Sequence, residues 1–168
     1  MGRYVVMGVA GAGKSLIGSA LAEALGVDFV EGDAYHPPEN VARMAAGIPL
    51  TDDDRLGWLR ALADRLGAAA AAGEGLVMTC SALKRSYRDL LRARDPSVRF
   101  ILLHGAEALL AERLAGRSGH YMPASLLGSQ LATLEIPTPD EGAWRCDVAA
   151  SPDAIVAALV TLATRPPA

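Results

Sequence analysis

Gly8-Val9-Ala10-Gly11-Ala12-Gly13-Lys14-Ser15 decides the fold class of this 168-residue chain. The stretch fits G-x-x-x-x-G-K-[ST] in full. It stands directly after an apolar run, Arg3 to Met7, and directly before a segment, Lys14 to Leu25, with apolar residues at helical spacing (Leu16, Ile17, Ala20, Leu21, Ala24). A glycine-rich turn between strand and helix lets backbone N–H groups converge on a polyphosphate, and the helix N-terminus adds partial positive charge. In that arrangement Gly8, Val9, Ala10, Gly11, Ala12, Gly13, Lys14, Ser15 and Leu16 make a nucleotide cradle. Lys14 reaches the β- and γ-phosphates, and Ser15 is the expected Mg²⁺ ligand. An ordinary glycine-rich turn is the competing reading, and the strand–turn–helix context argues against it.

Working outward from the loop, short apolar runs alternate with helical patterns, which predicts βαβ units and a parallel sheet. Val27 to Glu31, Leu76 to Cys80, Val98 to Leu103 and Cys146 to Ala149 are the further expected strands. Pro37-Pro38 opens a helix through Met44, and Thr51 caps another whose first turn holds Asp52, Asp53 and Asp54 and whose buried stripe is Leu56, Leu59, Leu62 and Leu66. Helices are also expected over Lys84 to Ala93, Glu107 to Leu114, Pro123 to Leu134 and Pro152 to Thr164. Residues Gly116 to Pro123 lack periodicity and carry two glycines, so they read as a mobile loop. The expectation is one domain over 1–168, α/β in class, with a lid at about 116–123.

Composition narrows the field. A 51% hydrophobic share with 21% charge is globular, and a net charge of −3 gives no sign of nucleic-acid affinity. No run approaches the ~18 apolar residues of a membrane span, and the two cysteines, Cys80 and Cys146, make neither a disulfide framework nor a zinc site. A cytoplasmic location is the expectation. Among sixteen Lys and Arg only Lys14 and Lys84 are lysine, and both fall in segments that carry chemistry.

A phosphate loop alone does not separate a switch, a motor and a small-molecule kinase. Asn40, the one asparagine, is followed by Val41, so no N-K-x-D guanine loop exists, and the third strand ends Thr79-Cys80-Ser81 without a metal-binding Asp. Transfer to an acceptor remains. It requires positive charge around the migrating group and exclusion of water. Arg113 and Arg117 stand four apart, entering the glycine-containing loop, on one helix face; a solvated face is the alternative. Ligands of α/β sheets gather beyond the carboxyl ends of the strands. There, Asp33 is placed to accept a proton from an attacking hydroxyl, or merely turns the loop. His36 precedes Pro37 and has no firmer reading from its position. Lys84, Arg88 and Arg92 recur at i, i+4 and i+8, a basic helix face suited to an anionic acceptor or to solvent. Arg85 and Asp89 are spaced for a surface pair. Asp52 to Asp54 are read as helix-start residues without a catalytic role.

The residues together resemble the gluconokinases of the P-loop type, relatives of shikimate and adenylate kinases. The marks are Met7-Gly8-Val9 with the loop, Gly32-Asp33 with His36-Pro37, Asn40 with Met44, Gly47 through Arg55 ahead of Trp58-Leu59, Cys80 through Lys84, Tyr87 through Arg92, Gly119-His120, and Gln130 with Leu134-Glu135. The resemblance implies a three-layer α/β/α fold with a five-stranded parallel sheet, a lid around Arg117 to Tyr121, and a homodimer. It implies ATP and Mg²⁺ as the phosphoryl source, and D-gluconate as acceptor at its 6-hydroxyl. It makes Lys14, Asp33 and Arg117 catalytic, with Asp33 as base. It makes Asp33, His36, Arg55, Lys84, Arg88 and Gln130 acceptor contacts, and Arg113 and Arg117 the adenine-side and phosphate-side arginines of the ATP site. The alternatives are a kinase for another small sugar acid or polyol, such as shikimate, and a nucleotide-dependent regulator that transfers nothing. The chain departs from the resemblance at Ala10, Ala12 and Leu16, where hydroxyl residues are usual, and at Glu31, where Asp is common.

Overall fold

Val5, Val6 and Met7 have no solvent exposure, as expected for a strand covered on both faces of a parallel sheet. The computed structural model describes residues 1–116 and 126–165. Five strands run in the order β2-β3-β1-β4-β5: β1 (Arg3–Met7), β2 (Asp28–Val30), β3 (Leu76–Thr79), β4 (Arg99–His104) and β5 (Trp144–Asp147). Each neighbouring pair is parallel, with Val6 opposite Thr79 on one side and Ile101 on the other. The described helices are α1 (Lys14–Leu25), α2 (Pro38–Ala45), α3 (Asp52–Ala71), α4 (Arg85–Arg92), α5 (Glu107–Ala115), α6 (Leu126–Thr133) and α7 (Pro152–Thr164).

Alternation along β1 divides the core. Tyr4 and Val6 pack with α1, α5 and α7 through Leu21, Leu110 and Leu159. Val5 and Met7 pack with α3 and α4 through Leu59, Leu62, Leu66 and Leu91. Side chains on a strand point alternately to opposite faces, so one five-residue run anchors both helical layers of an α/β/α sandwich. Each fully buried aliphatic side chain contributes about 1.5–3 kcal/mol.

Helix α3 begins as its sequence predicts. Thr51 Oγ1 accepts from the Asp54 N–H at 3.1 Å, and the Asp54 carboxylate accepts from the Thr51 N–H at 2.9 Å, a reciprocal cap that satisfies two otherwise open donors. The expected fifth strand, Cys146 to Ala149, is displaced. Pairing runs from Trp144 opposite Ile101 to Asp147 opposite His104, and Trp144 stacks on Tyr4 at 5.7 Å. That aromatic contact joins β1 to β5 across β4, and local composition does not encode it. Two 3-10 turns, Gly32–Tyr35 and Pro139–Glu141, fall in segments without an expected element. No helix among the described residues is long and apolar enough to cross a membrane. The expected lid at 116–123 lies, beyond Gly116, outside the described residues.

Candidate active site

The loop between β1 and α1 has the backbone of a phosphate cradle. Gly8, Gly11 and Gly13 all take positive φ. At Gly11 (φ 80°) an added Cβ would stand 2.7 Å from the Leu110 carbonyl oxygen, so both strain and contact require glycine there. Gly13 caps α1 with no side-chain acceptor, which leaves the first N–H groups of the helix available to an anion. Lys14 arches back over the loop, its Nζ donating to the Val9 carbonyl at 3.1 Å. Ser15 and Leu16 are exposed at the start of the helix. Across the loop, the Ala10 N–H donates to Gln130 Oε1 at 2.7 Å, tying the cradle to α6.

Beside the cradle opens a cleft of about 460 Å³ whose lining includes Lys14, Asp33, His36, Arg55, Lys84 and Gln130. These residues come from five separate segments, and only the fold brings them together. Asp33 is set by the residue before it. Gly32 N–H donates to Thr79 Oγ1 at 3.0 Å, Thr79 Oγ1 in turn donates to the Glu31 carboxylate, and Trp58 Nε1–H donates to the Gly32 carbonyl at 2.8 Å. A Cβ on Gly32 would lie 1.9 Å from the Thr79 carbonyl oxygen, so the turn closes onto β3 only with glycine. His36 stacks on Trp58 with ring centroids 3.9 Å apart, and its Nε2 stands 4.0 Å from Asp33 Oδ1. Burial pushes the His36 imidazole down to about 4; Arg55 acts in the same direction and Asp33 opposes it.

Asp52 and Tyr87 also line the cleft, and the sequence reading missed both. Asp52 was expected to serve only the start of α3. It accepts from the Tyr87 hydroxyl and from Lys84 Nζ, the latter at 2.9 Å. These two hydrogen bonds, Tyr87's first, hold its carboxyl below the usual range, and Asp52 in turn raises Lys84. The helix-start role falls instead to Asp54. Arg55 lies over the Tyr87 ring at 5.6 Å, and its buried Nε has no hydrogen-bond partner among the described residues. The i, i+3 spacing of Lys84 and Tyr87 was the available signal for the tyrosine.

The basic face expected on α4 does not exist. Lys84 precedes the helix as its N-cap. Arg88 is fully buried and paired with Glu141, so its guanidinium is turned away from the acceptor cleft. Arg92 donates to the Glu141 carbonyl and lies over Phe100 at 4.7 Å. A bidentate partner far along the chain, which no local pattern shows, withdraws Arg88 into the interior, while Arg92 stays half-buried on the backbone of the same residue. Arg113 Nη2 donates to the Val148 carbonyl at 2.7 Å, joining the end of α5 to the segment after β5. Arg117, the second expected lid arginine, lies outside the described residues. The Arg85–Asp89 pair forms at 3.9 Å, but Arg85 makes a closer one with Asp140 at 2.6 Å. The Cys80 thiol is pushed up to about 12 by burial and is chemically quiet.

With this geometry in place, comparison with known proteins gives a consistent answer. Residues 4–137 match the AAA domain family. A gluconokinase of Gluconobacter oxydans is 51% identical over 93% of this chain and 88% of its own length. The chain belongs to the gluconokinase family. Further gluconokinases match it, among them the thermosensitive gluconokinase of Escherichia coli, 44% identical over 82% of this chain and 74% of that protein. In structure, the gluconokinase of Sinorhizobium meliloti superposes with a TM-score of 0.86 at 53% identity, covering 96% of this chain and 93% of that one. An adenosine phosphosulfate (APS) kinase of Mycobacterium tuberculosis, 19% identical with a TM-score of 0.71, shares the fold. As a gluconokinase-family member with this loop, the chain is an ATP-dependent kinase.

Proposed function

We propose that this chain transfers the γ-phosphoryl group of MgATP to the 6-hydroxyl of D-gluconate, giving 6-phospho-D-gluconate and ADP. The observation that carries the reading is the shared cleft: Lys14 of the phosphate loop, Asp33 and Arg55, whose Nε is buried, line one space beside the cradle. Phosphate cradle, proton acceptor and anion anchor are what transfer to a hydroxyl of a carboxylic acid requires.

Residue by residue, the loop amides and Lys14 hold the triphosphate and take up charge as the bond from the γ-phosphorus to the bridging oxygen breaks. Asp33 accepts the hydroxyl proton as the oxygen bonds to the γ-phosphorus, and ADP leaves with the bridging oxygen. Arg55 is the acceptor's carboxylate anchor, while Lys84, Asp52 and Tyr87 form a polar wall suited to hydroxyls. The Ser15 hydroxyl would hold Mg²⁺ together with phosphate oxygens, and the ion would supply neutralising charge for the leaving group. The exposed hydroxyl at the mouth of an uncapped helix start is a donor of the right chemistry. Residues 1–168 are read as one kinase unit with a lid near 116–123 that brings Arg117 to the phosphates and keeps water out. A homodimer, which the family resemblance implies, and a cytoplasmic location, expected from composition, belong to the same reading.

A coupled assay for 6-phosphogluconate tests the proposal: formation should require both ATP and gluconate, with shikimate and nucleoside monophosphates nearly inert. Equal turnover of shikimate would reject the acceptor assignment while leaving the kinase intact. ATP binding without transfer to any sugar acid or polyol would favour the regulator.

A further inference from the structure

Asn40 lies on α2 and is 4% exposed, and its side-chain nitrogen has two partners. Nδ2 stands 2.8 Å from the Asp54 carbonyl oxygen and 3.3 Å from His36 Nδ1. A carbonyl oxygen only accepts, so the amide atom facing it is the nitrogen, and the second N–H of the same group then points at the imidazole. His36 Nδ1 therefore accepts, and its proton resides on Nε2, the atom directed at Asp33. Packing opposes a turn of the ring: Trp58 stacks on it at 3.9 Å with 19° between planes, and Trp58 is itself bonded to Gly32, the residue before Asp33.

From this we infer that Asn40 is a positioning residue for the transfer: its amide holds His36 as the Nε2–H tautomer, so that a neutral N–H donor faces the acceptor hydroxyls beside Asp33. The 4.0 Å between Nε2 and Asp33 Oδ1 is too long for a direct hydrogen bond. A hydroxyl entering from the cleft, to one side of the line between them, can take the imidazole N–H and lie against the carboxylate. The opposite tautomer would turn a lone pair toward the carboxylate. An imidazolium would set a positive charge beside Asp33 and weaken it as a proton acceptor. A donor-only group at Nδ1 opposes both states. The charged groups bearing on the ring are Asp33, in its own turn, and Arg55, from α3; the first favours the imidazolium and the second disfavours it.

The inference rests on the proposed transfer for its consequence, while its geometric part can be read without catalysis. Histidine-¹⁵N-labelled whole protein at pH 7, with no nucleotide or gluconate added, should show His36 protonated at Nε2 alone, the signal being assigned by its loss in His36→Gln. Protonation at Nδ1 would overturn the inference whatever the kinase assay gives. In kinetics, Asn40→Ala should lower kcat about 10- to 100-fold, the range found where a histidine's outer partner is removed at metal sites, with KM for ATP little changed. His36→Gln keeps an amide N–H near the position of Nε2 and has no tautomer to choose, so adding Asn40→Ala to it should cost less than threefold further. An equal fold-loss in both backgrounds would mean that Asn40 acts only through its bond to the Asp54 carbonyl, and the inference fails. If Asn40→Ala does not fold, His36→Gln against His36→Ala decides: glutamine should retain at least tenfold more kcat, and equal losses overturn the donor role.

Discussion

The Arg88 guanidinium is joined twice to the Glu141 carboxylate, Nε to Oε2 at 2.5 Å and Nη2 to Oε1 at 2.9 Å, with each side chain only 1% exposed. Its remaining nitrogen, Nη1, donates to the carbonyls of Ala82 at 3.0 Å and Leu83 at 3.3 Å. Ala82 is the only described non-glycine residue with positive φ, at 46°, a conformation that costs about 1–3 kcal/mol unless its surroundings impose it. The pair therefore holds the turn that presents Ser81, Leu83 and Lys84 to the cleft. Removing one partner leaves a buried charge uncompensated, so Arg88→Ala should destabilise by about 3–5 kcal/mol in urea unfolding, whereas Arg88→Met with Glu141→Leu should cost much less. A single substitution that leaves the urea midpoint unmoved would remove the structural role.

Lys14→Ala should abolish measurable transfer while the protein stays folded, because Lys14 is half-buried in the cleft wall and is not one of the buried core residues. Circular dichroism and the coupled assay together check this. Appreciable remaining turnover would mean that the loop amides alone stabilise the transferred group.

Asp33→Asn should lower kcat about 10²- to 10⁴-fold, the span of a positioned general base, with ATP affinity retained. If only KM for gluconate rises, Asp33 positions the acceptor and some other group takes its proton.

Arg55 and Lys84 should differ although both line the cleft. Lys84 is already paired with Asp52, whereas the buried Nε of Arg55 has no described partner. Loss of a charged hydrogen bond, about 1.5–3 kcal/mol, corresponds to a rise of about 10- to 100-fold in KM for gluconate in Arg55→Ala. Lys84→Ala should show a smaller rise. Steady-state kinetics that rank them the other way would move the carboxylate anchor to Lys84.

Acid should weaken the fold through His36. The unfolded imidazole titrates near 6.5 and the folded one near 4, so between those values the unfolded chain holds the additional proton. The His36 contribution is whole above pH 6.5 and declines as pH falls toward 4; at about 1.4 kcal/mol per pH unit it has a ceiling of about 3–4 kcal/mol, lowered further by solvent screening. Urea midpoints at pH 7.5 and 5 should differ, and His36→Gln should shrink the difference. An unchanged difference would assign the loss to other groups.

What could be read from residues alone was whatever short-range order encodes. The loop from Gly8 to Ser15 was legible because its glycines, lysine and flanking periodicities are contiguous, and the same holds for the Thr51 cap and for five of the seven described helices to within about two residues; of α3 only the start was legible, and α6 starts beside residues that are not described. That Asp33 lines the cleft was legible because it follows a strand's carboxyl end, where any α/β sheet gathers its ligands, whereas His36 had no reading from its position and entered through the family resemblance alone.

The tertiary structure decided which polar groups face the cleft. Lys84, Arg88 and Arg92 share a helical spacing, yet the first pairs with Asp52 in the cleft, the second is buried against the Glu141 carboxylate 53 residues along the chain, and the third, half-buried, bonds the Glu141 carbonyl. Asp52 and Asp54 stand in one turn, and one holds Lys84 while the other caps the helix. Asn40 gains its bearing on Asp33 through His36 because α2 packs beside the start of α3. Periodicity fixes which face of an element is apolar, since burial of that face is nearly independent of the partner. A hydrogen bond exists only when donor and acceptor meet within about 3 Å, and for residues far apart in the chain that meeting is made by the completed fold.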